Sequence, residues 1–278
     1  IPMEQVLKTM LENVRAKSPL VHNITNYVTV NDVANVLLAA GGSPIMSDDA
    51  DDVEDITSIC GGLNINIGTL NKNTIPSMFL AGRKANELGH IVLLDPVGAG
   101  ASRLRTDTAN RLIREVRFDA VRGNISEIKT LCTGSGTTKG VDADTVDAVT
   151  EANLDDGVAL VKAFAGQTGC IIAVTGAIDL VSDGERCWCI RNGRAEMSRI
   201  TGTGCQLSAL MTAFLVANPD RKLDAAAAAV CMMGLAGEIG WANMQPGDGN
   251  STYRNRIIDA IFNMTGDALE EGAKYELR

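Results

Sequence analysis

The chain has 278 residues, of which 45% are hydrophobic and 21% are charged. This is the composition of an ordinary globular protein and excludes intrinsic disorder, which requires less apolar content and more net charge. The net charge is −9 at pH 7, and because an acidic surface repels phosphate backbones and anionic lipid, neither nucleic acid nor a membrane is expected as a partner.

The cysteines and the N-terminal segment indicate the compartment. Seven cysteines stand at positions 60, 132, 170, 187, 189, 205 and 231, and their spacing fits neither a zinc site nor a small disulfide framework. The N-terminus lacks the continuous apolar region of a secretory signal. No uninterrupted apolar stretch reaches the roughly 20 residues of a membrane span. We therefore expect a cytoplasmic protein with reduced thiols.

The first elements are helix, strand and helix. Apolar residues recur at helical spacing between Val6 and Val14, which predicts an opening amphipathic helix. A short apolar run at 20–22 predicts a strand. After it, Asn31 or Asp32 is expected to cap a helix that ends at Gly41.

Short apolar runs then alternate with helical patterns. Strands are predicted at 44–46, 63–67, 91–94, 118–121 and 170–174. Repeated strand–helix order predicts an α/β fold with a mostly parallel sheet and helices on both faces.

A hairpin and a helical last quarter complete the chain. Asp183-Gly184 lies between two apolar runs and signals a hairpin, which predicts an antiparallel edge on the sheet. Helices are expected at 207–217, at 225–240 and from 257 onward. Because no linker interrupts the pattern, residues 1–278 are predicted to form a single domain.

Residues 200–205 form the most informative loop. Thr201-Gly202-Thr203-Gly204-Cys205 leads into an apolar helix. Its two glycines and the unpaired N–H groups of a helix start make an anion site suited to a phosphate. The segment matches neither the Walker nor the Rossmann pattern. A tight turn that enters a buried helix explains the same residues.

Polar residues follow three predicted strands, at the edge where ligands bind to open α/β sheets. Asp95 is a candidate Mg²⁺ ligand or a loop cap. Glu127, three residues after Asn124, either binds a metal directly or through water, or complements a helix dipole. Arg122 has no such structural explanation, whereas Thr175 either bonds a nucleotide or merely ends its strand.

A fourth set lies near the N-terminus. Residues 22–26 (His-Asn-Ile-Thr-Asn) would orient a small polar substrate, although Asn and Thr also form turns. His22 is expected to be a structural residue, and Met46 either an apolar wall or a buried strand residue. Together with the anion turn, these are the parts that phosphoryl transfer requires.

Six segments, in this order, resemble the hydroxyethylthiazole kinases: SPLVHNITN at 18–26, DPVGAGAS at 95–102, RGNISEI at 122–128, KGVDA at 139–143, VTG at 174–176 and TGTGC at 201–205. The last alone would indicate only the wider ribokinase-like superfamily. The resemblance implies a three-layer ribokinase-like fold without a separate lid. It also implies ATP-dependent phosphorylation of the hydroxyl of 4-methyl-5-(2-hydroxyethyl)thiazole in thiamine salvage and biosynthesis.

The resemblance also implies roles for individual residues. The catalytic anion hole would comprise Gly202, Thr203, Gly204 and Cys205. ATP would contact Arg122 and Thr175, and Mg²⁺ would bind Asp95 and Glu127. The thiazole alcohol would contact Asn26, Met46, Gly68 and Gly202. The family implies a homotrimer with active sites between subunits.

Two departures and two alternatives remain. Cys205 stands where many ribokinase relatives carry an Asp base, and a thiol at a helix start is expected to have a lowered pKa. Residues 245–255 match the family's Gly-Pro-Gly-Ser-Phe stretch only loosely, so adenine contacts there stay unassigned. The alternatives are a kinase of another small heterocyclic alcohol, of hydroxymethylpyrimidine or pyridoxal type, and a non-catalytic nucleotide or thiazole sensor.

Overall fold

Nine strands lie within the residues that the computed structural model describes, 4–135 and 147–278. They are β1 (Leu20–Ile24), β2 (Ser43–Met46), β3 (Gly62–Asn66), β4 (Ile91–Asp95), β5 (Ala120–Asn124), β6 (Ile171–Thr175), β7 (Asp179–Ser182), β8 (Cys187–Ile190) and β9 (Tyr275–Leu277). All nine join one sheet in the order β2-β1-β3-β4-β5-β6-β7-β8-β9. The first six pair in parallel and the last three antiparallel, which confirms the predicted sheet and its edge hairpin. The KGVDA segment at 139–143 lies outside the described residues.

Helices cover both faces of this sheet. They are α1 (Val6–Lys17), α2 (Val30–Ala40), α3 (Val53–Ile59), α4 (Thr74–Leu88), α5 (Arg103–Glu115), α6 (Ile125–Ser135), α7 (Leu154–Thr168), α8 (Thr203–Ala217), α9 (Lys222–Ala242), α10 (Asn250–Asn263) and α11 (Gly266–Gly272). One core cluster packs α1, α2 and α8 to α11 on the sheet, and the other packs α3 to α7 on the opposite face. The three-layer prediction is confirmed.

Alternation along the strands explains why the central runs are continuously apolar. In β4, Ile91 and Leu93 enter the first core cluster, whereas Val92 and Leu94 enter the second. Because successive side chains of a strand point to opposite faces, a strand covered by helices on both sides needs an apolar residue at every position.

Among the described residues, α9 alone is long and apolar enough to cross a membrane, judged by length and composition. The apolar window within it is 78% buried in the fold, and the helix packs on α8 and α10. This is the environment of a core helix.

Two local predictions are wrong, and one strand was not predicted. Thr29, rather than Asn31 or Asp32, is the N-cap of α2, and its hydroxyl bonds Asn26 instead of the helix backbone. β5 begins at Ala120 and continues through Arg122 to Asn124, because its pairing with β6 extends that far. β9 was not predicted at all. It forms because the backbone edge of β8 is open to a third antiparallel strand.

Candidate active site

Polar residues of three neighbouring strands meet at the carboxyl edge of the sheet. Asn66, the last residue of β3, pairs with Asp95, the last residue of β4. The β4–β5 register pairs Leu94 with Val121, which sets Arg122 beside Asp95. Residues in register on parallel strands point the same way, so the sheet itself brings these groups together beneath the N-terminus of α8.

Arg122 and Asp95 form a buried ion pair. The guanidinium donates three hydrogen bonds, to Asp95 Oδ2 at 2.6 Å, Ser208 Oγ at 2.8 Å and Thr175 Oγ1 at 2.9 Å. Ser208 Oγ also donates to Asp95 Oδ2 at 2.8 Å. The two residues that the sequence assigned to different ligands, a metal and a nucleotide, therefore contact each other directly.

Burial and charge act in opposite directions on this pair. Desolvation opposes the charge of Arg122, but the Asp95 carboxylate outweighs it and raises the pKa of the guanidinium. Burial raises the pKa of the Asp95 carboxyl, whereas Arg122 and Ser208 lower it. Arg122 stays protonated at any physiological pH, so the Asp95 carboxyl always faces a positively charged partner.

Glu127 acts at the start of α6. Its backbone N–H donates to Asn124 Oδ1 at 2.8 Å, and its Oε1 accepts the N–H of Asn124 at 2.9 Å, which is a reciprocal capping arrangement. Its Oε2 accepts the N–H of Gly98 at 2.8 Å and so holds the loop that follows Asp95. Burial raises the pKa of the carboxyl, and the charge of Asp95 adds to that shift, while the two backbone donors oppose it.

Asp95 retains an oxygen that is available to a divalent cation. Asp95 is 0% exposed, and its Oδ1 has no hydrogen-bond partner among the described residues. No group of three or more His, Cys, Asp or Glu side chains gathers in the part of the chain that the structure describes. Mg²⁺ is usually held by one or two carboxylates together with substrate phosphates and water, so the donor set fits this ion.

The start of α8 requires glycine at its N-cap and packs closely at a second glycine. Gly202 is the N-cap with φ +91°, and a Cβ there would lie 2.3 Å from Thr29 Cγ2. A Cβ at Gly204 would lie 3.0 Å from Arg122 Nη1. The first bond of the helix runs from the N–H of Gln206 to the carbonyl of Gly202 at 2.8 Å. The N–H groups of residues 203–205 precede it and have no acceptor within the helix.

An amide network joins this helix start to the N-terminal polar set. Asn26 Nδ2 donates to Asn66 Oδ1 at 3.0 Å and to Cys205 Sγ at 3.3 Å. Asn66 Nδ2 in turn donates to Asp95 Oδ2 at 3.3 Å. Gly68 packs against the same amide, because a Cβ there would lie 2.8 Å from Asn26 Nδ2. Of the predicted thiazole-site residues, the structure thus joins Asn26, Gly68 and the Gly202 turn.

The predicted pKa of the Cys205 thiol is wrong in direction. Burial raises this pKa, and the nearby Asp95 charge raises it further, whereas Arg122 and the amide donors lower it. The helix dipole favours a thiolate, but the thiol is almost fully enclosed and desolvation outweighs the dipole.

His22 is structural, as expected. It is buried, with Nε2 at 2.8 Å from the carbonyl oxygen of Ser47 and Nδ1 at 2.6 Å from Thr57 Oγ1. A carbonyl only accepts hydrogen bonds, so Nε2 carries the proton and Nδ1 accepts from the hydroxyl. Burial lowers the pKa of this imidazole. The ring therefore anchors the segment that follows Met46. Met46 itself is 36% exposed at the end of β2, so the alternative of a buried strand residue is wrong.

A cavity of about 740 Å³ opens beside the helix start. It reaches from Thr203 and Gly204 past Thr175 to the apolar side chains of Val230 and Met233. Pockets of this size hold small-molecule ligands and cofactors.

The sequence analysis missed three polar residues of this region. Asn66 lies inside the strand predicted at 63–67, but in the structure that strand ends at Asn66, so the rule that selected Asp95 applies to it only once the strand end is known. Ser208 lies one helical turn beyond Gly204, on the face that meets Arg122. Asp179 lines the cavity, and only the antiparallel return of β7 brings it there.

The fold and the glycine-rich helix start define the class of ribokinase-like kinases. A ribokinase-like superfamily protein from Enterococcus faecalis superposes with a TM-score of 0.62 and covers 93% of this chain and 94% of its own. At 10% identity this likeness shows the fold alone.

The chain belongs to the hydroxyethylthiazole kinase family, whose family model matches residues 11–267. Hydroxyethylthiazole kinase from Clostridium acetobutylicum is 57% identical over 98% of this chain and 99% of its own length. The structure of hydroxyethylthiazole kinase from Pyrococcus horikoshii superposes with a TM-score of 0.88 at 33% identity, over 99% of this chain and 100% of that one.

Proposed function

We propose that this site transfers the γ-phosphoryl group of ATP to the hydroxyl of 4-methyl-5-(2-hydroxyethyl)thiazole, which yields the thiazole phosphate and ADP for thiamine biosynthesis. Membership in the family supports this reaction. The observation that carries it is the buried Asp95–Arg122 pair directly beneath the glycine-rich start of α8.

Backbone N–H groups form the proposed anion hole. The amides of Thr203, Gly204 and Cys205 begin α8 and lack acceptors within the helix, and the helix dipole adds positive potential there. Arg122, packed under Gly204, adds a full positive charge. Fixed donors of this kind stabilise the charge that develops on a phosphoryl group during transfer.

Asp95 and Glu127 are the proposed ligands of Mg²⁺, directly or through water. The free Oδ1 of Asp95 is the strongest support. When bound, the ion neutralises phosphate oxygens and aligns them for transfer. Like Asp95, Thr175 accepts a hydrogen bond from Arg122, and it lines the cavity. We therefore assign the nucleotide to that cavity, with its phosphates at Gly204.

The thiazole alcohol lies on the other side of the helix start, against Asn26, Gly68, Gly202 and the thioether of Met46. Cys205 faces this side through its contact with Asn26. Because burial raises the pKa of the thiol, Cys205 is protonated at neutral pH and does not act as a strong base. In a loose transition state little proton removal is needed early, so charge stabilisation carries the reaction.

The proposed assembly is a homotrimer in which each active site lies between subunits. Tyr27 and Val28, next to the buried Asn26, are 79% and 56% exposed. Apolar side chains that border a ligand site are typical of a surface that a partner covers. We place this single-domain kinase in the cytoplasm, where its seven buried cysteines stay reduced.

A coupled assay of ADP release tests the function. With Mg²⁺ and ATP, the thiazole alcohol should be phosphorylated faster than hydroxymethylpyrimidine or pyridoxal. Faster turnover of either of those alcohols would overturn the substrate assignment, and no release with any of them would favour a sensor.

Substitution of one carboxylate tests the metal ligands. Glu127→Gln keeps an oxygen that can accept the Asn124 N–H and cap α6, but it removes the charge and replaces the oxygen that accepts the Gly98 N–H with an NH₂ group. We expect kcat to fall at least about tenfold and the Mg²⁺ requirement to rise, with the thiazole KM unchanged. Glu87→Gln, on an exposed helix position, is the matched control. Unchanged Mg²⁺ dependence in the Glu127 variant would remove this residue from the metal site.

A further inference from the structure

Asp179 is a buried carboxylate that the proposed reaction does not use. It is the first residue of β7 and is 9% exposed. Its Oδ1 accepts the N–H of Gly176 at 2.9 Å, which closes the turn between β6 and β7. Its Oδ2 makes no hydrogen bond or ion pair with any described residue.

The surroundings of Asp179 are those of a ligand site. It lines the 740 Å³ cavity, and it is the one carboxylate among the described residues that do so. Arg194, the cavity's other charged side chain within the described ranges, is already paired with Glu196 at 3.0 Å. An unpartnered oxygen in a cavity of this size is thus available to a ligand that carries an N–H or O–H group.

A buried carboxylate with no cationic partner and only one hydrogen bond is unfavourable in the folded protein when no ligand is bound. Burial raises the pKa of Asp179 to about 7, while the Gly176 N–H and the Arg122 charge oppose that shift. Burial raises the pKa of the Cys231 thiol in α9, and the Asp179 charge raises it further. Groups with strongly shifted pKa values in clefts cluster at functional sites.

We propose that Asp179 is a specificity-determining residue for the nucleotide, whose free oxygen accepts a hydrogen bond from a donor group of the nucleoside. This inference rests on the proposed function, because that function places the nucleotide in this cavity. A nucleoside offers two sources of such a donor, the exocyclic amino group of adenine and the ribose hydroxyls. Both recognise the carboxylate by the same chemistry.

Asp179→Asn is the informative variant. The amide oxygen still accepts the Gly176 N–H, so the free position changes from an acceptor to an NH₂ donor. Two donors then face each other, and we expect ATP to bind about 10- to 100-fold more weakly, with the thiazole KM unchanged. Asp183→Asn is the matched control. This exposed carboxylate in the same hairpin also accepts backbone N–H groups, those of Glu185 and Arg186, but does not line the cavity.

Analogues separate the two sources. Calorimetric titration of wild type and variants would use ATP, inosine triphosphate, purine riboside triphosphate, and 2′- and 3′-deoxy-ATP. Recognition of the amino group predicts that wild type loses affinity for the purine riboside form and that Asp179→Asn gains affinity for inosine triphosphate, whose keto oxygen accepts. Recognition of the ribose predicts a loss with one deoxy form in wild type that disappears in the variant.

Two results would overturn the inference and are distinguishable from each other. If wild type binds ATP and Asp179→Asn binds it equally tightly, or if every analogue loses the same factor in both proteins, the role of Asp179 falls and the proposed function stands. If wild type binds no nucleotide, the proposed function falls with it.

Discussion

Gly202→Ala perturbs the helix start in a way that the structure resolves into two parts. The backbone at Gly202 has φ +91°, a conformation that costs an L-residue about 1–2 kcal/mol. The new methyl group would also lie 2.3 Å from Thr29 Cγ2, well inside the ordinary carbon–carbon contact of about 3.5–4.0 Å. Overpacking of this kind costs about 1–3 kcal/mol, so the total loss of unfolding free energy should be about 2–5 kcal/mol.

A second glycine isolates the backbone part. Gly169 has φ +71°, and no atom lies within 4 Å of the position of its Cβ. Gly169→Ala should therefore cost only the conformational part, about 1–2 kcal/mol. Most of the steric part should be relieved when Thr29 is changed to Ser, which removes Cγ2 but keeps Cβ, at 3.1 Å from the new methyl group, and the hydroxyl that bonds Asn26 Oδ1.

These differences are measured by urea unfolding of wild type, Gly202→Ala, Gly169→Ala, Thr29→Ser and the double variant Gly202→Ala/Thr29→Ser. Wild type, Gly202→Ala, Thr29→Ser and the double variant form a double-mutant cycle. The thiazole KM provides a second readout, because a displaced Thr29 shifts Asn26, which contacts Cys205. Equal losses for Gly202→Ala and Gly169→Ala, or no relief from Thr29→Ser, would refute the packing described at the start of α8.

Three further predictions concern buried side chains. Arg122→Met should lower the unfolding free energy by about 3–5 kcal/mol, because it leaves the Asp95 carboxylate buried and unpaired; adding Asp95→Asn should recover part of that loss, and strictly additive losses would contradict the ion pair. Asp179 has a folded pKa of about 7, above its ordinary value of 3.8, so the stability gained by keeping it neutral is full below pH 4 and is lost as the pH rises through 7. The unfolding free energy of wild type relative to Asp179→Asn should therefore fall by about 4 kcal/mol between pH 4 and 8, whereas parallel pH curves would show that the group is not buried as described. Cys205→Ser should keep kcat within about tenfold, because the loss of a true general base costs about 10²–10⁴; a loss in that larger range would make the thiol a base.

The order of strands and helices along the chain was predictable because it depends on local patterns. β4 is apolar at every interior position, and Gly41 ends α2 in the left-handed conformation that glycine favours. β9 was not predictable, since the alternation of Tyr275, Glu276 and Leu277 spans only three residues, and only the open edge of β8 makes them a strand.

The candidate site was predicted as a set of residues but not as a set of contacts. The rule that ligands bind at the carboxyl ends of parallel strands selected Asp95, and the structure places this residue at the end of β4. Its bond to Arg122, 27 residues away, depends on the β4–β5 register, which local sequence does not specify. The prediction for the pKa of the Cys205 thiol failed for the same reason, because the burial that raises this pKa depends on tertiary packing, which local sequence does not specify.

The most direct test of the account is a crystal structure with Mg²⁺, the thiazole alcohol and a non-hydrolysable ATP analogue. The account predicts that the terminal phosphate accepts hydrogen bonds from the backbone N–H groups of Gly204 and Cys205, with the divalent ion held by Asp95 or Glu127, directly or through water. Phosphates bound away from the start of α8, or a side chain that fills that turn, would contradict it.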